Sequence, residues 1–260
     1  MTNISAGTAS PLSNAGFNAV LAQLQVEAPA LWSLIAVETS GFGYLDDRRP
    51  KILFERHIFH RRTNGRFDAT HPDISSADAG GYVGGVGEYR RVEQAMTLDR
   101  RNALESASWG LGQIMGFNAV SLGYAGVEDM VTRFSDSEDQ QLQGSLQFIL
   151  RNQPLASAFR TKQWKKVAFF YNGSAYAQRR YDEKLRNFFD VYTLKGVPNI
   201  DVRAAQARLT YLGYAPGGVD GITGHRTQAA TMAFQQKRGL PVTAELDAAT
   251  LQALQESANA

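Results

Sequence analysis

The chain has 260 residues, 43% of them hydrophobic and 20% charged, with a formal net charge of +2. That length allows one large domain or two of unequal size, and the composition is that of a folded globular protein. The near balance of charge gives no case for nucleic acid as a partner, and the lack of cysteine excludes disulfides, thiol catalysis and cysteine-ligated zinc.

The opening stretch "MTNISAGTASPLSNAG" has neither a basic region nor a continuous apolar one, so no secretory signal is predicted. No apolar run reaches the roughly 18 residues that span a bilayer. The expectation is a chain that folds in the cytoplasm as a monomer, without stable membrane insertion, and that reaches any target beyond the membrane with outside help.

Helical periodicity is predicted over about 14–27 and 29–39. The second helix runs into "LWSLIAVETSGFG", where Leu31, Leu34, Ile35 and Glu38 fall at i, i+3, i+4 and i+7. A carboxylate therefore shares the apolar face, a placement that raises its pKa by desolvation. The plainer reading is a glutamate near a fraying helix end closed by Gly41.

From about 42 to 90 the pattern is less regular. "GYLDDRRPKILFE" reads as a short hairpin with Asp46 and Asp47 in its turn, and "ADAGGYVGGVGEY" as a glycine-rich loop or flap. Glu55, directly after "KILF", has two readings: a second acid facing a cleft, or a buried partner of Arg56 or another arginine. His57 and His60 are spaced i, i+3 and His71 follows Asp68, but no H-E-x-x-H or comparable ligand set accompanies them. No metal and no cofactor is predicted.

"ASWGLGQIMGFN" gathers small residues around Gln113, and "FFYNGSAY" ends a helix at Tyr171 and Asn172. Further helices are predicted at about 137–151, 163–171 and 176–192. Arg151, Arg160, Lys162, Lys165, Lys166, Arg179, Arg180, Lys184 and Arg186 concentrate in this part, as a solvated face or as an attraction for an anionic polymer. The fold class predicted is α+β, mostly helical, with a small β element after the second helix.

"LKGVPNI", residues 194–200, breaks the helical pattern and marks a boundary. Beyond it "DVRAAQARLTYLGY" is an amphipathic helix, "APGGVDGITGHRTQAATMAFQQKRGL" a tight loop and second helix, and "TAELDAATLQALQ" a third. Leu209, Leu212-Gly213-Tyr214, Asp220-Gly221, Gly224, Thr227 and Phe234-Gln235 ahead of Gly239-Leu240 resemble the hallmarks of the type 1 peptidoglycan-binding domain. The departure is at "PVTAELD", where that family commonly has a second Asp-Gly turn. Tyr214, Asp220, Gly221 and Thr227 are the module's marker residues, and peptidoglycan is the ligand the resemblance implies. A small three-helix bundle that merely stabilises or dimerises the protein is the alternative.

Glu38-Thr39-Ser40, Gly110-Leu111-Gly112-Gln113-Ile114 and Phe170-Tyr171-Asn172-Gly173 together resemble, in order, the motifs of goose-type lysozymes and soluble lytic transglycosylases. With "RPKILFERHIFHRRTNGRFD" and "SASWGLGQIMGFN" included, the match is closer to the N-acetylmuramidase family of phage endolysins. The resemblance implies a lysozyme-like catalytic domain at 1–195 and a three-helix peptidoglycan-binding domain at 200–258. It further implies an endolysin made in the host cytoplasm that hydrolyses peptidoglycan in the periplasm. Glu38 is then the general acid, Glu55 the candidate second group, and Ser108, Gln113, Tyr171 and Asn172 substrate contacts. Trp109 and Tyr171 are candidate walls of the cleft. A lytic transglycosylase using the same glutamate and a non-catalytic wall-binding virion protein are the alternatives. The tail is expected to act as a tether that raises effective concentration at the wall, with the catalytic domain self-sufficient on short soluble chains.

Overall fold

The computed structural model describes Ile4 and residues 6–259. Twelve α-helices and three short strands lie among the described residues, arranged as two compact units, neither of which is one continuous piece of chain. The first comprises 1–9 and 43–151, the second 10–42 and 152–260.

In the first unit β1 (Ile52–Phe54), β2 (Ala107–Trp109) and β3 (Ile114–Met115) form an antiparallel sheet in the order β1-β2-β3. Ile52 pairs with Trp109 and Phe54 with Ala107. The hairpin predicted over "GYLDDRRPKILFE" is thus corrected. Its turn exists, with Leu45 N donating to Arg49 O at 2.8 Å and Asp47 accepting from Arg49, but its arms share only the Tyr44–Pro50 bridge. The strand "ILF" pairs with a segment more than fifty residues later because that pairing buries one shared apolar face: Ile52 and Phe54 lie on the same side as their partners Trp109 and Ala107, all four are buried, and Phe54 meets Phe59, which stacks on Phe67.

Around this sheet lie α3 (Arg56–Arg62), α4 (Val86–Glu105), α5 (Val127–Asp136) and α6 (Glu138–Arg151). The sequence reading did not identify α4, whose first turns are glycine and charge and whose backbone leaves helical geometry at Asp99. Gln141 of α6 ties the hairpin between β2 and β3 to the helices: its Oε1 accepts from Leu111 N and its Nε2 donates to Phe134 O, both at 2.7 Å. Gly110 is needed there, since a Cβ would stand 2.6 Å from the Gln141 side chain.

The second unit is built on α2 (Ala28–Thr39), buried on nearly every side. Pro29 opens it, and Ser40 closes it in the left-handed region. α1 (Asn14–Leu24), α7 (Gln153–Arg160), α8 (Trp164–Asn172) and α9 (Tyr181–Lys195) complete this part, and α2 packs along α9. The helix predicted at 176–192 is divided. A 3₁₀ turn runs over Ser174–Arg179, and Arg180 at φ +50° breaks the axis, so that Tyr181 becomes the first residue of α9.

The same unit contains the tail. α10 (Ile200–Tyr211), α11 (His225–Arg238) and α12 (Ala248–Asn259) enclose Ala205, Leu209, Ala230, Phe234 and Leu254. Among the described residues no single helix is long and apolar enough to cross a membrane.

Candidate active site

Leu31, Leu34 and Ile35 are each no more than 2% exposed, so the face that carries Glu38 is the one α2 turns inward. The Glu38 carboxyl is enclosed by protein, although part of the residue reaches the surface. Desolvation raises its pKa from 4.5 to about 7, against the opposing pull of a hydrogen bond from Tyr181 and of the Arg179 charge. The Tyr181 hydroxyl donates to Glu38 Oε1. Its own pKa lies well above the usual phenol value, through burial and the neighbouring Glu38 and Tyr171, so it stays protonated and keeps donating. The other carboxyl oxygen is left to carry the proton. An acid half-protonated near neutrality, held by one oxygen, is a proton donor in waiting.

Tyr171, half-buried in the last turn of α8, thus belongs to the same group of side chains as Glu38 and Tyr181, while Asn172 is exposed at the end of that helix. Tyr181 and Arg179 were missed by the sequence reading. Neither the sequence separation of 143 between Tyr181 and Glu38 nor the helix pattern signals the contact. Three other members of the basic run are engaged locally, in the Lys162–Glu27 and Arg180–Glu183 ion pairs and the bond from Arg160 to Leu24 O at 2.7 Å.

Glu55, Ser108 and Gln113 lie in the first unit. Glu55 is not paired with an arginine, which corrects one of its two readings: Arg56 turns away to donate to Asp78 O at 2.9 Å. Glu55 instead accepts from the Tyr82 hydroxyl at 2.7 Å, and His57 Nδ1 sits 3.1 Å away but out of line for a hydrogen bond. Tyr82 is carried by the glycine-rich loop, which leaves Tyr82 and Val83 exposed. A carboxylate that is buried with an arginine partner is Glu88, on α4. It accepts from the backbone N–H groups of Phe54, Val83 and Gly84 and from Arg91 at 2.8 Å, anchoring both β1 and the flap. Burial works to raise its pKa, and these donors outweigh it and hold the group below the usual range.

Ser108 is buried and donates to Gln113 Oε1 at 2.8 Å, and Gln113 Nε2 donates to Gly110 O at 2.9 Å. Both are engaged in shaping the β2–β3 turn. Trp109, offered as a cleft wall, is a core residue whose Nε1 donates to Leu104 O at 3.0 Å. Of the histidines, His60 bonds Asp68 at 2.7 Å and His71 bonds Thr70 at 2.9 Å. Among the described residues no three histidine or acidic side chains are grouped to hold a metal ion.

Residues 27–193 match the N-acetylmuramidase family, and residues 199–254 match a putative peptidoglycan-binding domain. The chain belongs to the N-acetylmuramidase family. It is also similar to the crystal structure of a Burkholderia AP3 phage endolysin, with 38% identity over 72% of this chain and 73% of that one and a TM-score of 0.66. Among curated protein sequences there is no significant match. The muramidase is a glycoside hydrolase and a peptidoglycan-hydrolysing endolysin with a peptidoglycan-binding tail.

The marker residues of that tail build its first loop. Gln206 Oε1 accepts from Asp220 N and Gly221 N at 3.0 and 2.8 Å, and its Nε2 donates to Asp220 Oδ1, Ile222 O and Thr227 Oγ1. Tyr214 packs edge-on against Phe234. Gln235 repeats the device in the second loop, accepting from Thr243 N and Ala244 N and donating to Glu245 O and Thr250 Oγ1. The "PVTAELD" departure therefore keeps the bracket without the second Asp-Gly turn, and Ala244 takes the left-handed conformation there at φ +64°.

Proposed function

We propose that Glu38 is the general acid that cleaves the β-1,4 bond between N-acetylmuramic acid and N-acetylglucosamine. The observation that carries this is the enclosed carboxyl on the inward face of α2, raised to about 7 and fixed through one oxygen by a phenol that stays protonated. The proton passes from Glu38 to the glycosidic oxygen as the bond to the anomeric carbon breaks, and the bonding pair leaves with that oxygen. Positive charge develops on the sugar ring while Glu38 becomes a carboxylate, stabilised by the Tyr181 O–H and by Arg179. Water then adds to the anomeric carbon and returns a proton to Glu38. Glu55, set beside a phenol and an imidazole instead of a guanidinium, is the proposed second catalytic group.

Mass spectrometry of digested sacculi tests the reading. The expected products carry reducing N-acetylmuramic acid ends, and Glu38→Gln is expected to release them at least about 10²-fold more slowly. Products with 1,6-anhydro ends would replace water by the sugar's own 6-hydroxyl. Cut peptides with intact glycan would overturn the proposal.

A further inference from the structure

We propose that Arg203 is a positioning residue for the Glu38 end of α2, which makes the tail a working part of the glycosidase as well as a tether. The inference rests on the reading of Glu38 as general acid. Arg203 belongs to α10, the first helix of the tail, and its side chain is fully buried. Its Nε donates to Gly41 O at 2.7 Å, and its guanidinium carbon stands 5.4 Å from the centre of the Phe42 ring and 5.9 Å from that of Trp32.

Gly41 and Phe42 directly follow the end of the helix, and Trp32 lies within it. Ser40 at φ +56° and Gly41 at φ +93° turn the chain out of α2 within three residues of Glu38. The last carbonyls of a helix carry partial negative charge, so a cation just past that end is favourable, and the Arg203 N–H separately satisfies the carbonyl of Gly41 in the exit turn. Two more pieces of the tail close the same spot: Tyr211 meets Phe42 with ring centres 6.2 Å apart, and the Val219 carbonyl lies 3.5 Å from where a Cβ on Gly41 would stand. A buried cation is costly unless it is bonded and surrounded by matching groups, and here it has a carbonyl and two aromatic faces. Proton donation is sensitive to placement, and a displacement of about 1 Å can cost about 10²-fold in rate. The groups that face Glu38 from neighbouring elements, Tyr181 of α9 and Arg179 of the 3₁₀ turn, hold one side of the carboxyl. Arg203 sets the helix end that carries it.

The test uses the full chain. Arg203→Met and Arg203→Lys are assayed on soluble muropeptide oligomers across pH and, separately, for sedimentation with insoluble peptidoglycan, with Glu38→Gln as control. Arg203→Met is expected to lower kcat tenfold or more and to move the alkaline limb of the profile to lower pH, as water reaches a loosened helix end. Sedimentation is expected to stay as in the parent, and Arg203→Lys to recover part of the rate. A folded Arg203→Met with the parent's kcat and pH profile overturns the inference. Should Arg203→Met not fold, Tyr211→Leu loosens the same contact without removing a buried cation; a few-fold loss with the same limb shift supports the inference, and parent values overturn it. More than about a tenth of the parent's activity in Glu38→Gln would instead defeat the acid assignment, whatever Arg203 does.

Discussion

Glu38 and Glu88 are both acidic side chains withdrawn from water on helices, one in each compact unit, and they end in opposite states. Glu38 has one phenolic donor and a nearby arginine, too little to offset burial, and its pKa rises to about 7. Glu88 has three backbone N–H groups and a paired guanidinium, enough to reverse the same penalty, and its pKa falls. Burial alone does not say whether a carboxyl is a proton donor or a structural strut; the number of donors aimed at it does.

The comparison has a thermodynamic signature. The folded state binds a proton at Glu38 more tightly than the unfolded chain does, so this group disfavours folding increasingly as pH rises from about 4.5 to 7, by roughly 3 kcal/mol at the upper end. Glu88 has the reverse sign. Its contribution is present above the ordinary glutamate range and is lost as pH falls through its lowered folded value.

The largest expected effect is catalytic: Glu38→Gln should lose about 10²- to 10⁴-fold in activity. The same variant should melt above the parent near pH 7 and match it below pH 4.5; a variant less stable than the parent at neutral pH would break the comparison on its Glu38 side. Next comes Glu88→Gln, expected to cost roughly 3–5 kcal/mol by leaving Arg91 buried without its partner, with the deficit shrinking on acidification. Denaturant unfolding at several pH values measures it, and a deficit independent of pH would mean that Glu88 is not held ionised.

Glu55→Gln separates a third carboxylate from both. If Glu55 orients water, turnover drops at least tenfold while the melting temperature holds, because no buried guanidinium is left behind. A fall in melting temperature with normal turnover would move Glu55 into the class of Glu88. The smallest effect is expected from Tyr181→Phe. Removing the donor lifts the Glu38 pKa, so the alkaline limb of the activity profile should move up by less than about one pH unit; a shift to lower pH would show that the phenol does not favour the carboxylate.

The sequence showed one half of the Glu38 site clearly. The i, i+3, i+4, i+7 spacing places Glu38 with Leu31, Leu34 and Ile35, and all three apolar residues are buried as that spacing requires. The other half was hidden, because Tyr181 reaches Glu38 across 143 residues and starts its helix only because Arg180 turns left-handed. A similar limit applied to β1. Local pattern identified a strand at "ILF", but its partner Ala107–Trp109 is chosen by a sheet that forms far along the chain. Glu88 escaped for a different reason: the glycine-rich stretch before it reads as a loop, and nothing in composition shows that this loop wraps its N–H groups around one carboxylate.

The division of the chain carries a consequence for the order of assembly. Residues 43–151 of the first unit are continuous, whereas the second unit joins 10–42 to 152–260. A ribosome delivers α2 before the middle segment and its packing partner α9 after it. The middle segment can collapse on contacts of its own while α2 waits, and the bond from Arg203 to Gly41 closes a loop of 162 residues. Nascent or clipped chains that lack α10 would therefore carry Glu38 on an unfinished helix, and lytic competence would be gained only once α9 and α10 have been made.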